Sequence, residues 1–171
     1  MKIDIFSTTC FEYRTDSFGL YDDEEEGKQK NPAIIVPIED ERCIARVKNT
    51  SGREICFVPL DKNISYNKAN GETASLCDVL LIVIRTERRY DFCLVELKNK
   101  QKDWITDGIE QLKSTIGILR YSYSVSSLSK RMAYLSNKKH PYFHHSHKDV
   151  MERFRKETGF RLNITAEITI K

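Results

Sequence analysis

Two short apolar runs carry carboxylates near one end: Cys77-Asp78-Val79-Leu80-Leu81-Ile82-Val83-Ile84 and Phe92-Cys93-Leu94-Val95-Glu96-Leu97-Lys98. The charged stretch Arg85-Thr86-Glu87-Arg88-Arg89 separates them. Rich in Val, Ile and Phe, of strand length and joined by a polar turn, they predict a β-hairpin. With the hairpin symmetric about Glu87, Asp78 faces Glu96, Leu80 faces Leu94 and Ile82 faces Phe92. Side chains alternate along a strand and opposed residues share a face, so Asp78, Glu96 and Lys98 converge on one patch. Facing carboxylates repel unless a cation sits between them, and hard oxygen donors suit Mg²⁺ or Mn²⁺. Such an ion polarises a phosphoryl oxygen and lowers the pKa of bound water. An ammonium on the same face can hold that water and offset charge building on the phosphate. The chemistry this set would serve is phosphodiester hydrolysis.

The elements that must position these groups read as follows. Lys2 to Tyr13 is β-rich, and Asp22-Asp23-Glu24-Glu25-Glu26 with the following Gly27 to Pro32 reads as a solvated loop. A short strand is expected at Ala33 to Pro37. Ile44 to Lys48, the turn Asn49-Thr50-Ser51-Gly52 and Glu54 to Leu60 read as a first hairpin. After Lys98, the positions Ile105, Ile109, Leu112, Ile116 and Leu119 form one apolar stripe and predict a helix. Asp103 is its expected N-cap, and Asp107 lies in its first turn. A strand at Arg131 to Ser136 should run parallel to its predecessor through a right-handed crossover. Lys148 to Glu157 predicts a short helix stopped by Gly159, and Phe160 to Ile170 a closing strand.

Asp78, followed after the intervening turn by Glu96-Leu97-Lys98 on a hairpin and then an amphipathic helix, resembles the PD-(D/E)xK nuclease superfamily. The resemblance covers residues 76 to 136 well and 42 to 170 loosely. It implies a restriction-endonuclease-like α+β or α/β core, a mixed central sheet flanked by helices, over 42–171. A variable β-rich extension (1–41) would precede it within a single domain. It further implies a metal-dependent endonuclease in which Asp78, Glu96 and the Leu97 carbonyl bind Mg²⁺ or Mn²⁺ and Lys98 assists catalysis. DNA is expected ahead of RNA as substrate, with a homodimer or an ATPase or helicase partner and a place in restriction or antiviral defence. Some branches place a Gln on the following helix near the metal, which points to Gln111; the Tyr they carry four residues later is Thr115 here. The family also begins its core with a helix that often bears another acid. No such helix reads in this chain, and Glu12 or Glu41 would have to supply that group.

Composition sets the bounds. The 171 residues are 40% hydrophobic and 31% charged, as in a folded domain. Without an apolar segment of membrane-crossing length or a secretory leader, the expected setting is the cytoplasm. Five scattered cysteines fit free thiols in that reducing compartment. Residues 1–60 carry 8 Lys and Arg against 12 Asp and Glu, a balance of −4; residues 61–171 carry 20 against 13, a balance of +7. The basic part is where a polyanion would be met. Lys100 and Lys102, just past Lys98, are candidate phosphate contacts together with Gln111. The histidines His140, His144, His145 and His147 lack the acidic or Cys partners of a zinc site and read as a surface loop. No phosphate-binding loop, nucleophile elbow or dinucleotide fingerprint occurs, which removes ATPase, serine hydrolase and Rossmann oxidoreductase classes. The competing functional class is a non-catalytic nucleic-acid or protein-binding module on the same fold. A third is a small interaction protein whose charges are ordinary strand ends.

Overall fold

The computed structural model describes residues 12–23, 31–125, 128–140 and 147–171. In chain order the elements are β1 (Glu12–Arg14), β2 (Phe18–Tyr21), β3 (Ile34–Val36), β4 (Ala45–Asn49), β5 (Ile55–Pro59), β6 (Val79–Thr86), β7 (Arg89–Lys98), α1 (Trp104–Ser122), β8 (Lys130–Asn137), α2 (Lys148–Thr158), β9 (Arg161–Ile164) and β10 (Glu167–Ile170). The class is mixed α+β. A six-stranded sheet has the order β1-β5-β6-β7-β8-β9. Its first four strands pair antiparallel, and β7, β8 and β9 run parallel. A second sheet, β10-β4-β2-β3, lies over one face of the first.

Both faces of the hairpin β6–β7 are buried, which is why its sequence runs apolar without alternation. Leu80, Ile82, Phe92 and Leu94 pack beneath Ile109, Leu112, Ile116 and Leu119 of α1. Val79, Leu81, Val83, Cys93 and Val95 turn the other way, onto Phe18, Leu20, Val47 and Ile168 of the second sheet. The hairpin register is the expected one: Leu80 pairs with Leu94 and Ile82 with Phe92, slipping only at the turn between Ile84 and Thr86. β8 is parallel to β7, with Lys98 opposite Asn137. α2 ends on Gly159 in the left-handed region, φ 68°.

Several expectations are corrected. β4 and β5 do not form a hairpin; the turn at Gly52 (φ 62°) carries the chain from one sheet to the other. The closing segment is two strands, not one: β9 joins the first sheet, and β10 crosses to pair parallel with β4. Asp103 precedes α1 but makes no side-chain cap, its backbone being left-handed at φ 57°. Of the early β-rich stretch, residues 12–14 form β1, and 2–11 lie outside the described residues. The expected His loop falls largely outside as well; His140 stacks on Trp104 with ring centroids 6.0 Å apart. Four cysteines, Cys43, Cys56, Cys77 and Cys93, are free and buried, and Cys10 is outside the described residues. Among the described residues, no helix is long and apolar enough to cross a membrane.

Candidate functional site

Asp78 immediately precedes β6, and Glu96 and Lys98 close β7. Continuing the observed register past Val79 and Val95 sets Asp78 opposite Glu96, on the face covered by α1. All three side chains are buried, at 5%, 1% and 5% exposure. Glu96 is reached so closely because α1 carries Gly108 above it. A Cβ on Gly108 would lie 3.4 Å from Glu96 Cγ and overlap Leu135 Cδ1.

The polar contacts knit these groups together. Lys98 Nζ lies 2.7 Å from Glu96 Oε1 and donates to Gln111 Oε1 at 2.6 Å. Gln111 in turn donates to the Leu76 carbonyl at 3.4 Å. The Leu97 N–H donates to Asp78 Oδ2 at 2.6 Å. Strand geometry sends the N–H and C=O of one residue to the same edge, so the Leu97 carbonyl also leaves toward Asp78. Thr115 bridges the ends of the network: its Oγ1 accepts from the Cys77 N–H at 2.7 Å and donates to the Gln111 carbonyl at 2.9 Å.

Two residues that sequence reasoning missed belong to the same centre. Asp22, just after β2, is not in a solvated loop. It is 4% exposed, and Lys62 Nζ grips both its oxygens at 3.0 and 3.2 Å. Lys62 is itself held in the left-handed region at φ 63°, one of two non-glycine residues so placed among the described ones; the other is Asp103. Such backbone costs free energy and persists where surrounding contacts over-determine it. Among the described acids of residues 12–41, the buried one is Asp22. Glu12 sits exposed on β1 and pairs with Arg14, and Glu41 is exposed. Only the Phe18-Gly19-Leu20-Tyr21 run before Asp22 hinted at its burial, and the acidic residues after it masked the signal.

Electrostatics tie the groups into one unit. Burial drives the Asp78 carboxyl well above the ordinary aspartate value, and the charges of Glu96 and Asp22 push the same way; the Leu97 N–H and Lys98 oppose them. Burial works against the Lys62 ammonium, but its hydrogen bond to Asp22 and the charges of Asp22, Asp61 and Asp78 outweigh that, and its pKa is raised. Cys77 beside them is no nucleophile: burial holds its thiol well above the usual range, and Glu96 adds to the effect.

The remaining expected site residues part company. Lys100 and Lys102 lie beyond the strand end, both exposed, and Lys100 makes a 3.9 Å ion pair with Asp107. Gln111 turns inward to Lys98 instead of outward. Among the described residues, no group of three His, Cys, Asp or Glu side chains is placed to hold one metal ion. Asp78 and Glu96 are a pair, and Asp22 stands behind with its oxygens on Lys62. An open groove of about 550 Å³, lined by Ile34, Ile35, Phe57 and Pro59, lies apart from this centre. Comparison with protein-family models, with curated proteins and with solved structures found no match for this chain.

Proposed function

We propose that this chain is a metal-dependent nuclease of the restriction-endonuclease-like type, hydrolysing phosphodiester bonds, with DNA as the favoured substrate. The observation that carries the reading is one: Asp78 and Glu96 come from adjoining strands to one buried spot, and Lys98 contacts Glu96 at 2.7 Å. The donor set fits a hard divalent ion, because Mg²⁺ is commonly bound through one or two carboxylates with water and substrate phosphate completing its shell. Two repelling carboxylates, with Asp22 adding a third negative charge, outnumber the two ammonium groups of Lys98 and Lys62. Asp78, Glu96 and the Leu97 carbonyl would hold Mg²⁺ or Mn²⁺, which supplies Lewis acidity and an activated water when bound. Lys98 orients the attacking water and offsets charge on the phosphate, and Gln111 fixes the Lys98 rotamer. Because every one of these carboxylates is buried, substrate access requires the centre to open.

The test is cleavage of single-stranded DNA, duplex DNA and RNA with Mg²⁺ or Mn²⁺. Glu96→Gln and Lys98→Ala should each lower the rate by about 10²–10⁴-fold. Cleavage that survives both substitutions assigns the chemistry elsewhere.

One observation favours a second reading, a non-catalytic binding module. Each ammonium group already meets a carboxylate inside the protein, Lys98 with Glu96 and Lys62 with Asp22, and leaves only Asp78 for a cation to neutralise. Calorimetric titration with Mn²⁺ separates the two: saturable uptake abolished by Glu96→Gln favours the nuclease, and no uptake favours the module.

A further inference from the structure

The topology gathers a second set of charges at the opposite end of the molecule. The parallel strands β7, β8 and β9 all begin at one end of the sheet, and β6 finishes there. α1 and α2 each lead from the end of one parallel strand to the start of the next, so their last turns lie there too. This brings Arg88, Arg89, Lys130, Arg131, Arg155 and Arg161 to one surface, from the β6–β7 turn, β8, α2 and β9. All six are exposed, and none makes an ion pair among the described residues. Their combined charge of +6 exceeds the +3 of the whole chain, leaving −3 for everything else. The local acids offset part of this charge: buried Asp91 is taken by Arg85, whose Nε donates to it at 2.7 Å, Glu157 at the end of α2 is taken by Lys113 at 2.7 Å, and Glu87 in the turn and Glu54 beside the end of β6 stand exposed.

The guanidinium groups also converge. A Cβ placed on Gly159 would meet Arg120 Nη2 at 3.2 Å and Arg131 Nη1 at 3.7 Å, so two cations approach a single point. Helix dipoles explain part of this, since Arg120 donates to the Thr158 carbonyl at the end of α2. They do not explain Arg88 in the β6–β7 turn or Arg89, Lys130 and Arg161 at the first positions of β7, β8 and β9. Arginine predominates, and its planar fork matches phosphate oxygens where lysine offers a point charge.

We propose that this basic end is a binding surface for the phosphate backbone of nucleic acid, separate from the carboxylate centre. The nine residue steps from Arg89 to Lys98 put the two about 30 Å apart. A duplex lying along the sheet would span that distance in roughly nine base pairs at 3.4 Å each. The proposal does not depend on hydrolysis at Asp78 and Glu96.

The experiment is fluorescence anisotropy of a short labelled DNA duplex and of the matching single strand, in EDTA, across a series of salt concentrations. The triple variant Arg89→Ala/Arg131→Ala/Arg161→Ala should bind at least about 10-fold more weakly than wild type. Its log–log salt slope should flatten by about one for each phosphate it no longer neutralises. The turn variant Arg88→Ala/Arg89→Ala, which touches no core residue, should show a smaller loss of the same kind. Lys68→Ala, an exposed loop lysine in neither centre, should bind as wild type does. Wild type that fails to bind either probe, or a triple variant that binds normally, overturns the assignment. Polyglutamate that displaces DNA at equal charge concentration gives the surface to an acidic protein and overturns it equally.

Discussion

Asp78 is the residue at which stability and the proposed function pull against each other. Its carboxyl is raised well above the ordinary 3.8 by burial first and by Glu96 second. The native state therefore keeps this proton over a pH range in which the unfolded chain has lost it. Native protein binds more protons there, so stability falls as pH rises from about 3.8 through the raised native value, by about 1.4 kcal/mol for each pH unit crossed. Below that window the cost vanishes. In chelator, Asp78→Asn should melt higher than wild type at pH 8 and show a flatter profile down to pH 4, while its amide still accepts from Leu97. Added Mn²⁺ should raise the wild-type melting temperature and leave the variant unmoved. A wild type that gains stability from pH 4 to 8 relative to the variant would contradict this account. Asp78, Glu96 and Lys98 were legible in the sequence because charge at the end of an apolar strand is costly and so conspicuous. Lys62 was not, because its role depends on a left-handed backbone and a distant strand.

At the scale of elements, α1 does the positioning, and it does so through a missing side chain. Gly108→Ala gains about 1 kcal/mol of helix propensity, but its methyl would collide with Leu135 and touch Glu96. Overpacking at such a site costs about 1–3 kcal/mol, so the net effect should be a lower denaturant midpoint. Adding Leu135→Ala, which vacates the space, should recover part of the overpacking loss. An unchanged midpoint for the single variant would mean that α1 stands off the sheet. The β6–β7 register was readable because the two runs are of matching length about a short turn. The separation of β4 from β5 was missed, although the burial patterns differ. β4 alternates buried and half-buried positions, as in a sheet covered on one face, while every position of β5 is buried, as in a sheet covered on both.

At the scale of the molecule, the chain changes sheets three times among the described residues, after β1, after β4 and after β9, and the last crossing closes the structure. Glu167 to Ile170 pair with Arg46 to Asn49, and the Thr50 hydroxyl donates to the Ile170 carbonyl at 3.2 Å. Ile168 is fully buried between the sheets. Ile168→Ala should destabilise the fold by about 2–5 kcal/mol, and wild-type refolding should fall in the millisecond-to-second range set by such non-local pairing. A microsecond refolding phase accounting for the full amplitude would argue against that closure order. The same feature bears on biosynthesis. While a ribosome is still extending the polypeptide, β4 has no partner on one side and the apolar underside of β6 and β7 is incompletely roofed. Nascent forms of this protein should therefore lean on chaperones until the segment from Glu167 emerges from the exit tunnel.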